Sequence, residues 1–242
     1  MSHRTNHNCL RLSALLTVAA LTTSVLASPR ALWKINVDGT GAAPFAGEPG
    51  YRCGSPDWSP DGKFVAFDTW QDKKGGTTAV QVAIVKADGS GLRKIGHGAM
   101  PSWSPDGKQI AAHTYESPQT TVVMSANGGG RETILNHWGS PRWSPRGNRI
   151  ATILNGNIAL YDLATAREET ILPAQYSVFY GFAVSPDGRR ICFGGTSGDV
   201  YLATLDDQKM KAAVRPLVKG GMSHHISFAP DSKPRRHAAV RE

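Results

Sequence analysis

Trp58-Ser59-Pro60-Asp61-Gly62-Lys63 decides the fold, because it returns. Trp103-Ser104-Pro105-Asp106-Gly107-Lys108 repeats it without change. Trp143-Ser144-Pro145-Arg146-Gly147 and Val184-Ser185-Pro186-Asp187-Gly188 follow with one substitution each, and Phe228-Ala229-Pro230-Asp231-Ser232 is a worn fifth copy. The copies stand 45, 40, 41 and 44 residues apart. Proline presets φ for the first turn position, aspartate bonds the backbone two residues on, and glycine accepts positive φ, so each copy reads as a tight hairpin turn. A strand-like run follows each of the first four turns: Phe64–Phe67, Ile110–Ala112, Ile150–Ile153 and Ile191–Phe193. Asp38-Gly39, Asp88-Gly89 and Asn127-Gly128 supply a second turn in three of the units. Four short strands in ~40–45 residues, repeated, is the pattern of an all-β propeller, whose blades bury their faces only against one another.

The Trp-Ser-Pro-Asp-Gly-Lys units resemble the repeat of the TolB-like, WD-repeat-like β-propeller family. The resemblance runs over roughly residues 31–233, and it implies a propeller that acts as a binding scaffold. The family's namesake carries an α/β domain ahead of a six-bladed ring. Here only a leader precedes the first strand, and five units are counted: four complete and one composite. Residues 31–50 read as the third and fourth strands of a blade, and residues 224–242 as the first and second. Together they make the closing blade, which removes the open strand edges of an unclosed array. Lys233-Pro234-Arg235-Arg236 is a poor strand, so 234–242 reads as a basic tail, frayed or truncated.

Residues 1–27 read as a secretory signal. Arg4 and Arg11 flank the apolar run from Leu12 to Leu26, and Val25-Leu26-Ala27 offers the small residues a signal peptidase needs. At about 15 residues the run is shorter than the ~20 of a membrane span. Cleavage after Ala27 places the mature chain in the periplasm or outside the cell, with no membrane span left. It retains Cys53 and Cys192. Cys192 aligns with Ala66, Ala111 and Ala151 as a small buried residue, Cys53 falls just before a first strand, and no disulfide between them is expected.

Charge and composition narrow the partner. The 26 glycines and 15 prolines argue against a helical bundle. Lysine and arginine exceed aspartate and glutamate by 27 to 19, but no long basic run marks a nucleic-acid groove. The repeated Asp61, Asp106 and Asp187 suggest a carboxylate ring. Arg146 breaks that ring while its turn survives, so these residues read as turn formers. Trp58, Trp103 and Trp143 read as wedges between blades. The turns lie at one end of the blades. The incoming loops and the Asp68–Thr78 insertion, with Lys73-Lys74, lie at the other. Counting back six residues from each Trp position gives Arg52, His97 and His137, with His224 and His225 slightly closer to Phe228. These five residues are the candidate site, a cationic, imidazole-rich rim suited to an acidic protein or peptide. Imidazole titrates near ~6.5, so such binding strengthens on acidification, whereas a metal on the same histidines weakens. No G-x-S-x-G, H-E-x-x-H, C-x-x-C or phosphate-loop motif is present, so the sequence points to a non-catalytic scaffold without a cofactor. The alternatives are a metal-dependent polysaccharide lyase using the rim histidines, or a fragment of a larger propeller protein.

Overall fold

Twenty strands and no helix make up the residues described by the computed structural model, which are 31–36, 38–73, 76–77, 79–206, 210–220 and 226–228. The strands are β1 (Leu32–Lys34), β2 (Ala43–Ala46), β3 (Arg52–Trp58), β4 (Phe64–Trp70), β5 (Asp72–Lys73), β6 (Gly76–Thr77), β7 (Gln81–Lys86) and β8 (Arg93–His97). There follow β9 (Ala99–Trp103), β10 (Gln109–His113), β11 (Thr121–Ser125), β12 (Glu132–Leu135), β13 (Arg142–Trp143) and β14 (Arg149–Leu154). The last six are β15 (Asn157–Asp162), β16 (Arg167–Thr170), β17 (Val178–Val184), β18 (Arg190–Gly195), β19 (Val200–Asp206) and β20 (Lys211–Val218).

Four four-stranded sheets result, ordered β3-β4-β7-β8, β9-β10-β11-β12, β13-β14-β15-β16 and β17-β18-β19-β20. These are the four complete blades of a β-propeller. Strands β1 and β2 pair antiparallel, with Leu32 opposite Ala46, as the third and fourth strands of a blade do. Of the other half of that blade only 226–228 are described, and they form no strand; the signal sequence, the fifth turn at 229–232 and the tail lie outside the described residues. The chain divides into two compact units. The smaller takes in the described residues of Met1–Cys53 and Trp70–Thr78, and the larger takes in Gly54–Thr69 and the described residues from Ala79 onward. The insertion in the smaller unit is a short hairpin, β5 against β6.

The repeated turns explain themselves at atomic detail. Ser59 Oγ donates to Asp61 Oδ1 at 2.7 Å and accepts from the Phe64 N–H at 2.9 Å, while Asp61 Oδ1 also accepts from the Lys63 N–H at 3.1 Å. Ser104/Asp106 and Ser185/Asp187 repeat the arrangement. The serine bonds, first among the causes, hold all three carboxyls below their ordinary range. Where Arg146 replaces the aspartate, the Gly147 N–H still reaches Ser144 O at 2.8 Å, so the backbone turn survives. The carboxylates are turn formers, as expected.

In the larger unit, neighbouring blades share cores. Ala66, Val82 and Ile84 of the first pack with Trp103, Ile110, Ala112 and Met124 of the second. Ala111 and Val123 of the second meet Trp143 and Ile150 of the third. Ile158 and Leu160 of the third join Phe182, Ile191 and Phe193 of the fourth. Trp103 and Trp143 are buried wedges, each 7% exposed; Trp58 is not, at 49%.

A second linkage spans the first two junctions. Asp57, Ser102 and Arg142 occupy the same place, immediately before the tryptophan. Asp57 Oδ2 accepts from the Trp103 N–H of the next blade at 2.9 Å, and Ser102 Oγ accepts from the Trp143 N–H at 2.9 Å. Ser55, Met100 and Ser140, three residues before each tryptophan, all adopt left-handed φ of 45–51°. A non-glycine residue held there in the first three repeats is strain retained by surrounding contacts. Met100 is held by its N–H to Asp68 Oδ2 at 2.8 Å.

Candidate functional site

The far ends of the second strands, opposite the repeated turns, carry the unusual chemistry. The sequence pattern ends the second strands at Phe67 and Ala112; in the structure they run on to Trp70 and His113. Asp68 and His113 therefore lie within β4 and β10, at matching places two residues beyond Ala66 and Ala111. Asp68 is 4% exposed and His113 is fully buried. Asp68 Oδ1 and both His113 ring nitrogens have no hydrogen-bond partner. The third and fourth blades place Ile153 and Gly194 here, both buried.

Arg142 ties the cluster together electrostatically. Burial raises the Asp57 and Asp68 carboxyls, opposed by the backbone N–H groups of Trp103 and Met100 and by the positive field of Arg142. Burial likewise pushes the His113 imidazole down to about 4, and Arg142 adds to that. His113 is thus neutral at pH 7. It is caged edge-on by Tyr115 and Trp138, with ring centroids 4.8 and 5.6 Å away.

The rim residues fare differently from one another. His97 is the last residue of β8 rather than a loop residue, and it is exposed. Gly98 follows at φ +158, and a Cβ there would lie 2.9 Å from Ala112 Cβ, so only glycine lets the chain turn from the first blade into the second. His137 does lie in the connection between β12 and β13, and its ring faces inward. Its Nε2 meets Glu168 Oε2 at 2.9 Å, and its Nδ1 meets the Trp138 carbonyl at 2.9 Å. Glu168 Oε1 also accepts from the Thr152 hydroxyl at 2.7 Å. The Glu168 bond is the main cause raising the His137 pKa. On Glu168, burial pulls upward, but the bonds from His137 and Thr152 outweigh it and its pKa falls. His137 is a clasp between the second-blade exit and the outer strand of the third blade.

Arg52 opens β3 and belongs to the smaller unit, half-buried. His224 and His225 lie outside the described residues. Cys53 is inside β3 rather than ahead of it, Cys192 is buried in β18, and neither is in a disulfide. Among the described residues no three His, Cys, Asp or Glu side chains are grouped to hold a metal, and no helix is long and apolar enough to cross a membrane. Sequence reasoning missed Asp68, His113 and Arg142. The signal was available: a charged or imidazole residue stands where the third and fourth repeats have isoleucine and glycine.

No family model matches the chain. It is similar to TolB from Acinetobacter baumannii, with TM-score 0.63 and 19% identity over 83% of this chain and 51% of that one. A chain of the nidogen/laminin complex superposes with TM-score 0.63 at 10% identity, over 81% of this chain and 77% of that one. In sequence, a stretch of 85 residues is 35% identical to the protein LST8 homolog of Drosophila melanogaster, covering 33% of this chain and 27% of the relative. These likenesses establish the propeller fold and WD-like repeats. The chain spans about half of the TolB chain and a quarter of the LST8 homolog.

Proposed function

We infer that this propeller is a non-catalytic scaffold that takes an acidic protein or peptide segment at the end of the blades carrying His97, His113 and Arg142. The observation that supports it is the cluster itself. Two polar side chains more than nine-tenths buried, Asp68 and His113, lack partners for some of their polar atoms, beside a guanidinium. Buried polar groups are ordinarily satisfied, and those left over are concentrated where something else is bound. Arg142 supplies a fork for a carboxylate, and exposed His97 supplies a polar rim. His137 acts in it by fixing the loop rather than by contact. The leader at 1–27 supports export to the periplasm or the medium.

The test is fluorescence anisotropy with a labelled panel of acidic peptides and their glutamine-substituted copies, at 50 and 300 mM salt. The reading expects acidic peptides to bind, their copies to bind less, and salt to weaken them. His97→Glu should weaken binding severalfold and Asp106→Asn, at the opposite end, should leave it unchanged. Equal binding of both peptide sets, or indifference to His97→Glu and Arg142→Gln, would overturn it.

A further inference from the structure

The first two repeated turns, at 59–62 and 104–107, run side by side where the first blade meets the second. A Cβ on Gly107 would stand 3.9 Å from Pro60 Cδ, which is ordinary contact between the two turns. Between them opens a cavity of about 350 Å³, at the end of the blades opposite the proposed peptide site. Its wall is mixed. Trp103 and Phe64 bring apolar surface, and Asp61, Asp106, Arg93 and Asn127 bring polar groups. Both aromatic residues belong to the core shared by the two blades, so the apolar side of the cavity is fixed in place.

Trp103 has already committed its polar atoms. Its backbone N–H goes to Asp57 Oδ2 at 2.9 Å and its Nε1–H to Asp57 O at 3.1 Å, so its contribution to the wall is carbon. Trp143 is held differently, with its Nε1–H on Gly147 O of its own turn at 3.3 Å. The polar groups, by contrast, keep capacity in reserve. Asp106 Oδ1 accepts from the Ser104 hydroxyl at 2.6 Å and the Lys108 N–H at 3.0 Å, which orients the carboxylate and keeps it ionised. Its Oδ2 accepts from none of the described residues. Asp61 is oriented in the same way, and its Oδ2 meets the exposed Lys63 Nζ at 3.4 Å. Arg93 gives one N–H to Ala126 O, and its other donors, like the Asn127 side-chain amide, meet no acceptor among the described residues.

Net charge does not select the ligand here. Lys63 and the field of Lys108 offset the two carboxylates, and Arg93 stands in the same wall. Geometry selects it instead: a carbon plate bordered by oriented acceptors on one side and N–H donors on the other. Hydroxyl groups both donate and accept, so a neutral ring with one C–H face and a rim of hydroxyls matches every part of this wall. We propose that the cleft between the first and second blades binds a pyranose sugar, its C–H face on Trp103 and its hydroxyls shared among Asp61, Asp106, Arg93 and Asn127. Bonds from hydroxyls to the oriented carboxylates are charge-assisted and carry most of the specificity. The cavity is at the small end for ligand sites, which suits one or two sugar rings and a Kd on the order of 1 mM.

Two-dimensional NMR titration of the purified chain tests this, with the methyl glycosides of glucose, galactose, mannose and N-acetylglucosamine as probes. At least one glycoside should shift the Trp103 indole N–H saturably and leave that of Trp143 in place. Sorbitol, which has hydroxyls but no rigid face, should bind at least tenfold more weakly, as should tetramethylammonium and acetate. Asp106→Asn and Arg93→Met, both at exposed positions, should each weaken the glycoside fivefold or more with the fold intact. Asp187→Asn makes the same change in the fourth blade's turn and should leave binding unaltered, which separates ligand contact from loosening of a turn. The proposal is overturned if no glycoside gives a saturable shift below about 50 mM. Equal binding of sorbitol, tighter binding of either ion, or indifference to both Asp106→Asn and Arg93→Met overturns it as well.

Discussion

The first two blade junctions and the third are built from the same repeat and closed in different ways. At the first two, a tryptophan wedges into the shared core and its backbone N–H is caught by the side chain of the preceding blade, Asp57 in one case and Ser102 in the other. At the third, valine replaces the wedge and arginine replaces the catch, and the blades are joined through apolar packing of Leu160, Phe182 and Ile191. A propeller therefore tolerates loss of its signature residues where enough apolar surface remains to hold neighbouring blades together.

The largest break in that comparison should come from the wedges. Trp143→Ala should cost about 3–5 kcal/mol, because it removes a buried aromatic from the second junction, whereas Val184→Ala should cost about 1 kcal/mol. Urea denaturation of the two variants checks the contrast. Equal losses would mean that the wedges do not carry the junctions.

Acid should attack the second junction next. His113 has a folded-state pKa of about 4, below the ~6.5 of an unfolded chain, so the native state binds fewer protons between those values. Its contribution is present above pH ~6.5 and is lost as pH falls toward 4, amounting to about 3 kcal/mol in all. His113→Gln should flatten that part of the pH profile measured by urea midpoints at pH 7, 5.5 and 4. His137 works in the opposite sense, since its raised pKa gives stability that is full below pH ~6.5 and fades as pH rises. His137→Gln should therefore lose more stability at pH 6 than at pH 9.

Smaller effects sharpen the picture. Ser102→Ala orphans the Trp143 N–H and should cost about 1–3 kcal/mol, with Ser102→Asp recovering part of it by copying the first junction. Asp106→Asn, in an exposed turn, should shift the melting temperature by only ~1–2 °C.

The repeat was plain in the sequence because turn chemistry is local. Serine, proline, aspartate and glycine act within five residues, so their spacing exposed the blades and the faces. The site was less legible because burial is not local. Asp68 and His113 look like the first polar residues after a strand, and only the pairing of Asp68 with Val82 and of His113 with Thr121 extends the strands through them. His137 looked like an outward loop histidine, and its partner Glu168 lies 31 residues away on an outer strand. Arg142 takes the slot before a tryptophan, where Asp57 and Ser102 stand in the earlier repeats.

Cys192 gives the fourth blade a clock. Its thiol sits in β18 between Ala183 of β17 and Leu202 of β19, 5% exposed, and burial pushes its pKa up to about 11. Alkylating reagents need an accessible thiolate, which this position denies while the sheet is closed. In a Cys9→Ser, Cys53→Ser background, the rate at which a maleimide captures Cys192 therefore times the opening of a blade that has valine where its two predecessors have a buried tryptophan wedge.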